Sequence, residues 1–505
     1  MIYFSNKPHG LPTHRPSPDR LGFIEYLNNN SETLHICHRL DKETSGAMVF
    51  AKSKMAAAEL SKLFEKREIK KRYLLVTDRK NNLPEEVTVR SNITKKKNVF
   101  ISKKSENPNS ESHFRRIKQN DCFSLWEVIP KTGKTHQIRL HAQQLGINIL
   151  GDKLYNGSNF PRLMLHSMEI ALKYQNEDYS HKVEAPKLFQ DLNLLKDATM
   201  SSWLAAYDRR KTLYDLDSKT NNCYRLLHDE DPKLRIDKLD EKLWFYWYQD
   251  SAPNISELKR IEKFCKIIDC SKWKIQLMKN RGSKPLPETN LSNIEAKSWT
   301  AQENEINYIF KTSQGYSPGL FLDQRNNRKW VKDNSKNKSI LNLFCYTAGF
   351  SVCAAIGGAN KVISVDTSKA TLNWAKENFT ANNLNFEDYE FWSSDARLFI
   401  KGAVKRNQKF DIIICDPPSF ARNKDGVFKI EKDIGSLLSG LAKLLNTSGT
   451  ILFSTNYEGW TQEDLEERIS RLSELQLADI QIQVSLDYEL PGEERLMKSV
   501  FLRKN

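Results

Sequence analysis

The chain has 505 residues, 39% of them hydrophobic and 28% charged, and a net charge of +15. That length exceeds one ordinary core, so at least two globular domains are expected. No uninterrupted apolar stretch is long enough to span a bilayer. The opening residues Met1 to Pro8 lack the basic-then-apolar layout of a signal peptide, and the eight cysteines include no CxxC pair. Reduced thiols and a cytoplasmic protein are therefore expected, with no bound metal.

The charge is uneven. Residues 1–190 hold 32 Lys and Arg against 20 Asp and Glu, so +12 of the +15 lies there. It clusters at Lys66-Arg67, Lys70-Lys71-Arg72, Lys95-Lys96-Lys97 and Arg115-Arg116. Such clusters read equally as a solvated surface or as a phosphate-binding face for nucleic acid.

In chain order, a short apolar start leads into the Pro/Gly-punctuated loop Asn6 to Pro12. His38 to Gly46 is a polar loop running into the strand-like Ala47 to Ala51. Taken alone, it is a turn capped by Asp41, Thr44 and Ser45. It is also a loop able to present one carboxylate. The spacing of Ala56, Leu60, Leu63 and Phe64 predicts a helix over 54–66. A basic strand follows at Lys71 to Val76, alternating antiparallel strands at 80–120, and another strand at Phe123 to Val128. Lys131 to His141 turns from loop into helix, Gly151 to Gly157 is a loop, and Leu163 to Ser167 resumes an apolar segment.

His38-Arg39-Leu40-Asp41, Lys71-Arg72-Tyr73, Thr132 to Arg139 and Gly151-Asp152-x-Leu154-Tyr155 stand in the order seen in pseudouridine synthases of the RluA type. Residues 2–190 resemble that family, whose catalytic domain is α+β on a bent, mainly antiparallel sheet. The resemblance implies that Asp41 is the nucleophile, forming and releasing a covalent adduct without a cofactor. It gives Arg139 the role of the opposite charge that favours an ionised Asp41. It gives Tyr73 contact with the target base and help in loss of the C5 proton. The glycine often found after the tyrosine strand is replaced by Asp78-Arg79-Lys80.

Residues 191–222 are expected as a linker, with a helix from Met200 and a polar turn at 217–222. Residues 223–300 are expected as a small α+β module with an aromatic strand at Leu243 to Tyr248, read as core. A helix at 254–268 opens with the capping pair Asn254 and Glu257. Beyond it, Ile340 to Phe344 is a buried strand, followed by Cys345 to Phe350, a helix, and a second strand ending in Asp366. That is a Rossmann-like half-unit without a GxGxxG pattern. A helix over 370–379 and a strand ending near Asp395 follow. The strand Phe410 to Cys415 is stopped by Pro417 and Pro418, which puts Asp416 at its carboxyl end.

Asn342 to Thr347, Val365-Asp366, Trp374 to Asn378, Asp395 and Asp416-Pro417-Pro418-x-Phe420, with Phe321 to Arg325 upstream, resemble S-adenosylmethionine-dependent ribosomal RNA methyltransferases. The fold expected over 301–505 is α/β and Rossmann-like. The resemblance implies that Phe344, Tyr346, Thr347 and Gly349 hold the methionine part of S-adenosylmethionine. It gives the ribose to Asp366, the adenine region to Asp395 and the reacting base to Asp416. Ala348 stands where the family usually has glycine. Methylation at cytosine C5 needs a cysteine thiolate, and Thr455 stands where such relatives carry it; this favours guanine N7 as the acceptor. The reading is a fused enzyme of large-subunit ribosomal RNA. The alternative is an RNA-binding ribosome-assembly protein with vestigial sites.

Overall fold

The computed structural model describes residues 2–17, 21–30, 33–97, 99–215, 220–278, 291–312, 317–423, 426–482, 485–488 and 497–505. Part of the polar turn expected at 217–222, and part of the module expected at 223–300, lie outside these residues. The chain divides into two compact units. One comprises Met1–Asp217, Glu230–Leu234 and Ala252–Ser271, the other Ser218–Asp229, Arg235–Ser251 and Lys272–Asn505.

The first unit is built on a long mixed sheet. Strands Ile2–Lys7, Ser45–Ala51, Leu165–Tyr174, Lys70–Thr77, Ser124–Pro130, Ser110–Gln119, Glu86–Lys96 and Val99–Lys103 lie side by side in that order. Every pairing on this path is antiparallel except that of Ser45–Ala51 with Leu165–Tyr174. At that parallel pair Gly46 lies opposite Ser167 with φ 117°. A Cβ on Gly46 would stand 2.1 Å from the Ser167 carbonyl oxygen, so only glycine lets the two strands close here. The expected helix spans Lys54–Glu65; Ser53 caps it, and Ala56 and Leu60 are buried beside Val49 and Ile170. The helix Ala198–Asp215, expected as a linker, packs into this unit. His9 Nε2 meets the Ala205 carbonyl at 2.9 Å, and the Tyr26 hydroxyl donates to the Leu213 carbonyl.

In the second unit a four-stranded sheet runs Cys223–Leu227, Leu234–Leu239, Lys242–Trp247, Lys272–Leu277. Leu243 to Trp247 are buried, as core aromatics should be. The helix Ile255–Ile267 has the full reciprocal capping box of Asn254 and Glu257, and it falls with the first unit. The main sheet of the second unit has seven strands, ordered Glu390–Ser393, Lys361–Asp366, Ser339–Leu343, Phe410–Cys415, Leu445–Thr455, Lys498–Lys504, Leu475–Leu477. The first five are parallel and the last two antiparallel to their neighbours. The order reverses between Ser339–Leu343 and Phe410–Cys415. In such sheets ligands bind outside the carboxyl ends of the strands at this reversal.

Candidate active sites

In the first unit the loop after His38 is braced from several sides. His38 Nε2 accepts from the Val49 amide at 3.1 Å, and its ring stacks on Phe64. The Thr13 hydroxyl bonds both the carbonyl and the amide of Leu40. The fully buried Lys7 ammonium donates to the carbonyls of Pro8, Leu11 and Lys42 at 2.9, 2.7 and 3.0 Å. Burial brings the Lys7 ammonium down to about 7. These bonds fix the backbone on both sides of Asp41. The Asp41 side chain is left 27% exposed.

Arg139, 98 positions further on, reaches Asp41 Oδ2 with Nη1 at 3.3 Å. Its direction is set by Asp152, which takes its Nε at 2.8 Å and its Nη2 at 2.6 Å in a forked pair. Asp152 is buried and also accepts the Leu154 and Tyr155 amides, each at 3.1 Å. The guanidinium lies over the Tyr155 ring, 5.0 Å from its centre. Tyr155 in turn meets His136 Nδ1 at 2.8 Å, and His136 Nε2 stands 3.8 Å from Asp41 Oδ1. His136 opens the helix Gln137–Gln144 from a left-handed conformation, φ 57°. Tyr73 is buried and hydrogen-bonded with Ser167; burial holds its phenol up at about 12, so it is a neutral hydroxyl at neutral pH. The structure thus places Asp41 with Arg139, and Tyr73 on the strand facing Ser167. Asp152, His136 and Tyr155 complete the arrangement; sequence reasoning quoted all three inside motifs but gave them no role.

Part of the basic surface is already committed. Arg72 pairs with Glu127 and Glu169, and Arg115 pairs with Glu127 across adjacent strands. Lys66, Arg67, Lys70 and Lys95 to Lys97 are exposed.

The second unit holds a cavity of about 330 Å³ at the strand-order reversal. Phe344, Tyr346, Asp366, Asp395 and Asp416 line it, as do Phe321, Asp323, Arg397 and Asn456. Thr347 and Gly349 do not. The Thr347 hydroxyl donates to the Gly319 carbonyl at 2.6 Å, and Asn378 donates to the Thr347 carbonyl, so this pair pins the loop instead. The loop is bent by three non-glycine residues in the left-handed region: Phe344, Tyr346 and Ala348, φ 55°, 49° and 60°. Alanine therefore adopts the turn that glycine would make without steric cost.

Asp366 ends its strand and accepts the Tyr346 amide at 3.0 Å and the Ser368 amide at 2.9 Å. Burial raises its carboxyl. Asp395 caps the helix Ala396–Lys405 and holds Arg397 through its amide at 2.8 Å and its guanidinium at 2.9 Å. Asp416 has both oxygens bonded, one by the Ser454 hydroxyl at 2.8 Å and one by the Gln324 amide at 3.0 Å, and burial raises its carboxyl too. Cys415 points into the core between strands, and burial pushes its thiol well up. No cysteine lines the cavity among the described residues.

The family model for RNA pseudouridylate synthase matches residues 2–144, and that for S-adenosylmethionine-dependent methyltransferase matches residues 273–477. The chain joins an RNA pseudouridylate synthase domain to an S-adenosylmethionine-dependent methyltransferase domain. Two of the relatives are named as ribosomal RNA methyltransferases. The ribosomal RNA large subunit methyltransferase K/L of Shewanella frigidimarina is 44% identical over 140 residues, 27% of this chain and 19% of its own length. The ribosomal RNA large subunit methyltransferase K of Neisseria meningitidis serogroup B is 34% identical over 193 residues, 38% of this chain and 54% of its own. The chain thus spans less than two thirds of either relative. The solved structure of SMU.776 complexed with SAH matches with a TM-score of 0.53 at 24% identity, covering 73% of this chain and 98% of that one, a likeness of fold.

The cavity of the methyltransferase domain suits the cofactor its family takes. Asp366 and Asp395 are acceptors at the ends of adjacent strands, and each oxygen of a carboxylate can accept more than one donor. Hydroxyls of a ribose can therefore add to the bonds Asp366 already makes. No helix among the described residues is long and apolar enough to cross a membrane.

Proposed function

We propose that the chain is a bifunctional RNA-modifying enzyme that converts a uridine to pseudouridine and methylates a guanine at N7, both in large-subunit ribosomal RNA. In this reading residues 1–190 form the synthase, 191–222 a linker helix, 223–300 a small module and 301–505 the methyltransferase. The observation that carries the first half is the convergence of Arg139 on Asp41 across 98 positions. Asp41 forms and releases the covalent adduct, and Arg139 is its opposite charge. Tyr73 contacts the base and assists loss of the C5 proton; burial holds its phenol up at about 12, so it does so as a neutral hydroxyl.

For the second half, S-adenosylmethionine supplies an electrophilic methyl group. Phe344, Tyr346, Asp366 and Asp395 hold the cofactor, and Asp416 borders the base. The thiol-free cavity supports a nitrogen acceptor over cytosine C5, because guanine N7 already carries a lone pair. The relatives' names support large-subunit ribosomal RNA as the substrate.

Two variants of the full chain test both halves. Asp41→Ala should abolish tritium release from RNA labelled at uracil C5 while methyl transfer persists. Asp366→Ala should weaken S-adenosylmethionine binding in calorimetry while tritium release persists. Normal tritium release by Asp41→Ala would remove Asp41 from the chemistry, and unchanged affinity in Asp366→Ala would remove the ribose contact. Mapping the methylated atom in RNA treated with the wild-type chain decides between guanine N7 and cytosine C5.

A further inference from the structure

Two acidic side chains border the same end of the cavity, and they are not equivalent. Asp416 is fully bonded, to Ser454 and to Gln324. Asp323, the residue before Gln324, also lines the cavity, and its Oδ1 is closed to water with no hydrogen-bond partner among the described residues. A buried acceptor without a donor is costly, and a ligand that brings the donor removes that cost. Arg397, a cation of the cavity wall, is already held by Asp395. Arg225 and Arg328 act on the Asp323 carboxyl through their charge, and Arg422 is a second cation of the cavity wall, but among the described residues none donates a hydrogen bond to this oxygen, so a bound molecule can supply the donor.

The segment around Asp323 also offers a stacking surface. Phe321 is 50% exposed at the cavity wall, so its ring is open to a ligand there. Its centroid lies 5.5 Å from that of Tyr346, and its carbonyl is fixed by Arg328 at 2.8 Å. The turn Leu322–Gln324 fixes Phe321 and Asp323 two residues apart, one aromatic and one acceptor. Bases taken out of a helix are read in this way, by stacking on an aromatic ring and by hydrogen bonds to the Watson–Crick edge.

We propose that Phe321 and Asp323 form the target-base subsite, with Phe321 stacking on the base and Asp323 accepting from the N1–H and N2–H of guanine. This rests on the guanine reading given above and assigns the residue that selects the base. Guanine is the one common base with two adjacent donors on that edge, which a carboxylate matches and which cytosine, adenine and uracil do not. Burial, with the neighbouring Asp416 charge, holds the Asp323 carboxyl up at about 6, so it is an acceptor at neutral pH.

The test uses the full chain and large-subunit ribosomal RNA transcribed in vitro. The methylated position is mapped first, and a second RNA is ligated with inosine there. Inosine keeps N7 and N1–H and lacks the N2 amino group. The wild-type chain should methylate the inosine RNA with kcat/KM lower by about 10- to 100-fold. Asp323→Ala should lower kcat/KM on the guanosine RNA by a similar factor, should no longer distinguish the two RNAs, and should bind SAH with unchanged affinity. Phe321→Ala should raise KM for RNA and leave SAH affinity alone. Equal wild-type rates on the two RNAs would overturn the proposal, even if Asp323→Ala failed to fold. So would an Asp323→Ala chain that still prefers guanosine. If the mapped base is not guanine, the functional reading fails at that first step and this subsite fails with it.

Discussion

Asp152 illustrates how one buried carboxylate sets the synthase site. It spends its two oxygens on the Arg139 fork and on two backbone amides, and it does not itself face Asp41. Asp152→Ala would leave the Arg139 guanidinium, only 9% exposed, without its main partner, at a cost of about 3–5 kcal/mol. Thermal melts should show that loss, and tritium release should fall with it. Asp152→Asn keeps the shape and loses the charge, so it should fold better than the alanine variant and still release tritium slowly. Full-speed release by the asparagine variant would mean that Arg139 needs no charged anchor. Cys415 is the opposite case, a reactive residue type with no reactive place. Cys415→Ser buries a hydroxyl in an apolar strand, at about 1–3 kcal/mol. Methyl transfer per folded molecule should nevertheless persist; its loss with SAH affinity intact would bring back a thiol mechanism.

The loop between the strand Ser339–Leu343 and the helix Gly349–Ile356 shows the cost of shaping a cavity from ordinary residues. Each left-handed non-glycine residue costs roughly 1–2 kcal/mol. Ala348→Gly relieves one of these but removes a buried methyl worth about 0.8 kcal/mol, so the melting temperature should barely move. Ala348→Val places a branched side chain in the same conformation at a fully buried position. It should lower the melting temperature by many degrees and weaken SAH binding; a valine variant with wild-type affinity would show that the loop can reshape. The substitution itself was visible in the sequence, because alanine stood in a glycine's place. Elements with a plain signal were visible too: Leu60 repeats at the helical period, and Ile412 to Cys415 form one continuous buried run. Pairings between distant segments were not. Nothing in the spacing says that Arg72 and Arg115 both meet Glu127, because strand register is set by packing across the sheet. Likewise, the motifs order Asp41, His136, Arg139 and Asp152 along the chain without saying which carboxylate anchors the arginine and which is left open.

For the whole molecule the uneven charge becomes a statement about RNA affinity. The first 190 residues carry +12, yet Arg72, Arg90 and Arg115 are paired with glutamates on neighbouring strands. The exposed lysines of the hairpin formed by Glu86–Lys96 and Val99–Lys103 are better placed to meet phosphates. Replacing Lys95, Lys96 and Lys97 with glutamine should weaken RNA binding by the full chain with little regard to sequence. On single-stranded RNA it should flatten the slope of log affinity against log salt by about 2, near 0.7 for each phosphate that is no longer neutralised. An unchanged slope would take this hairpin off the RNA. The same variant separates two ways in which one chain can carry two chemistries. If one bound RNA serves both sites, tritium release and methyl transfer should fall together at high salt. If each domain engages its RNA separately, only tritium release should fall, because residues 191–505 together carry a net charge of just +3.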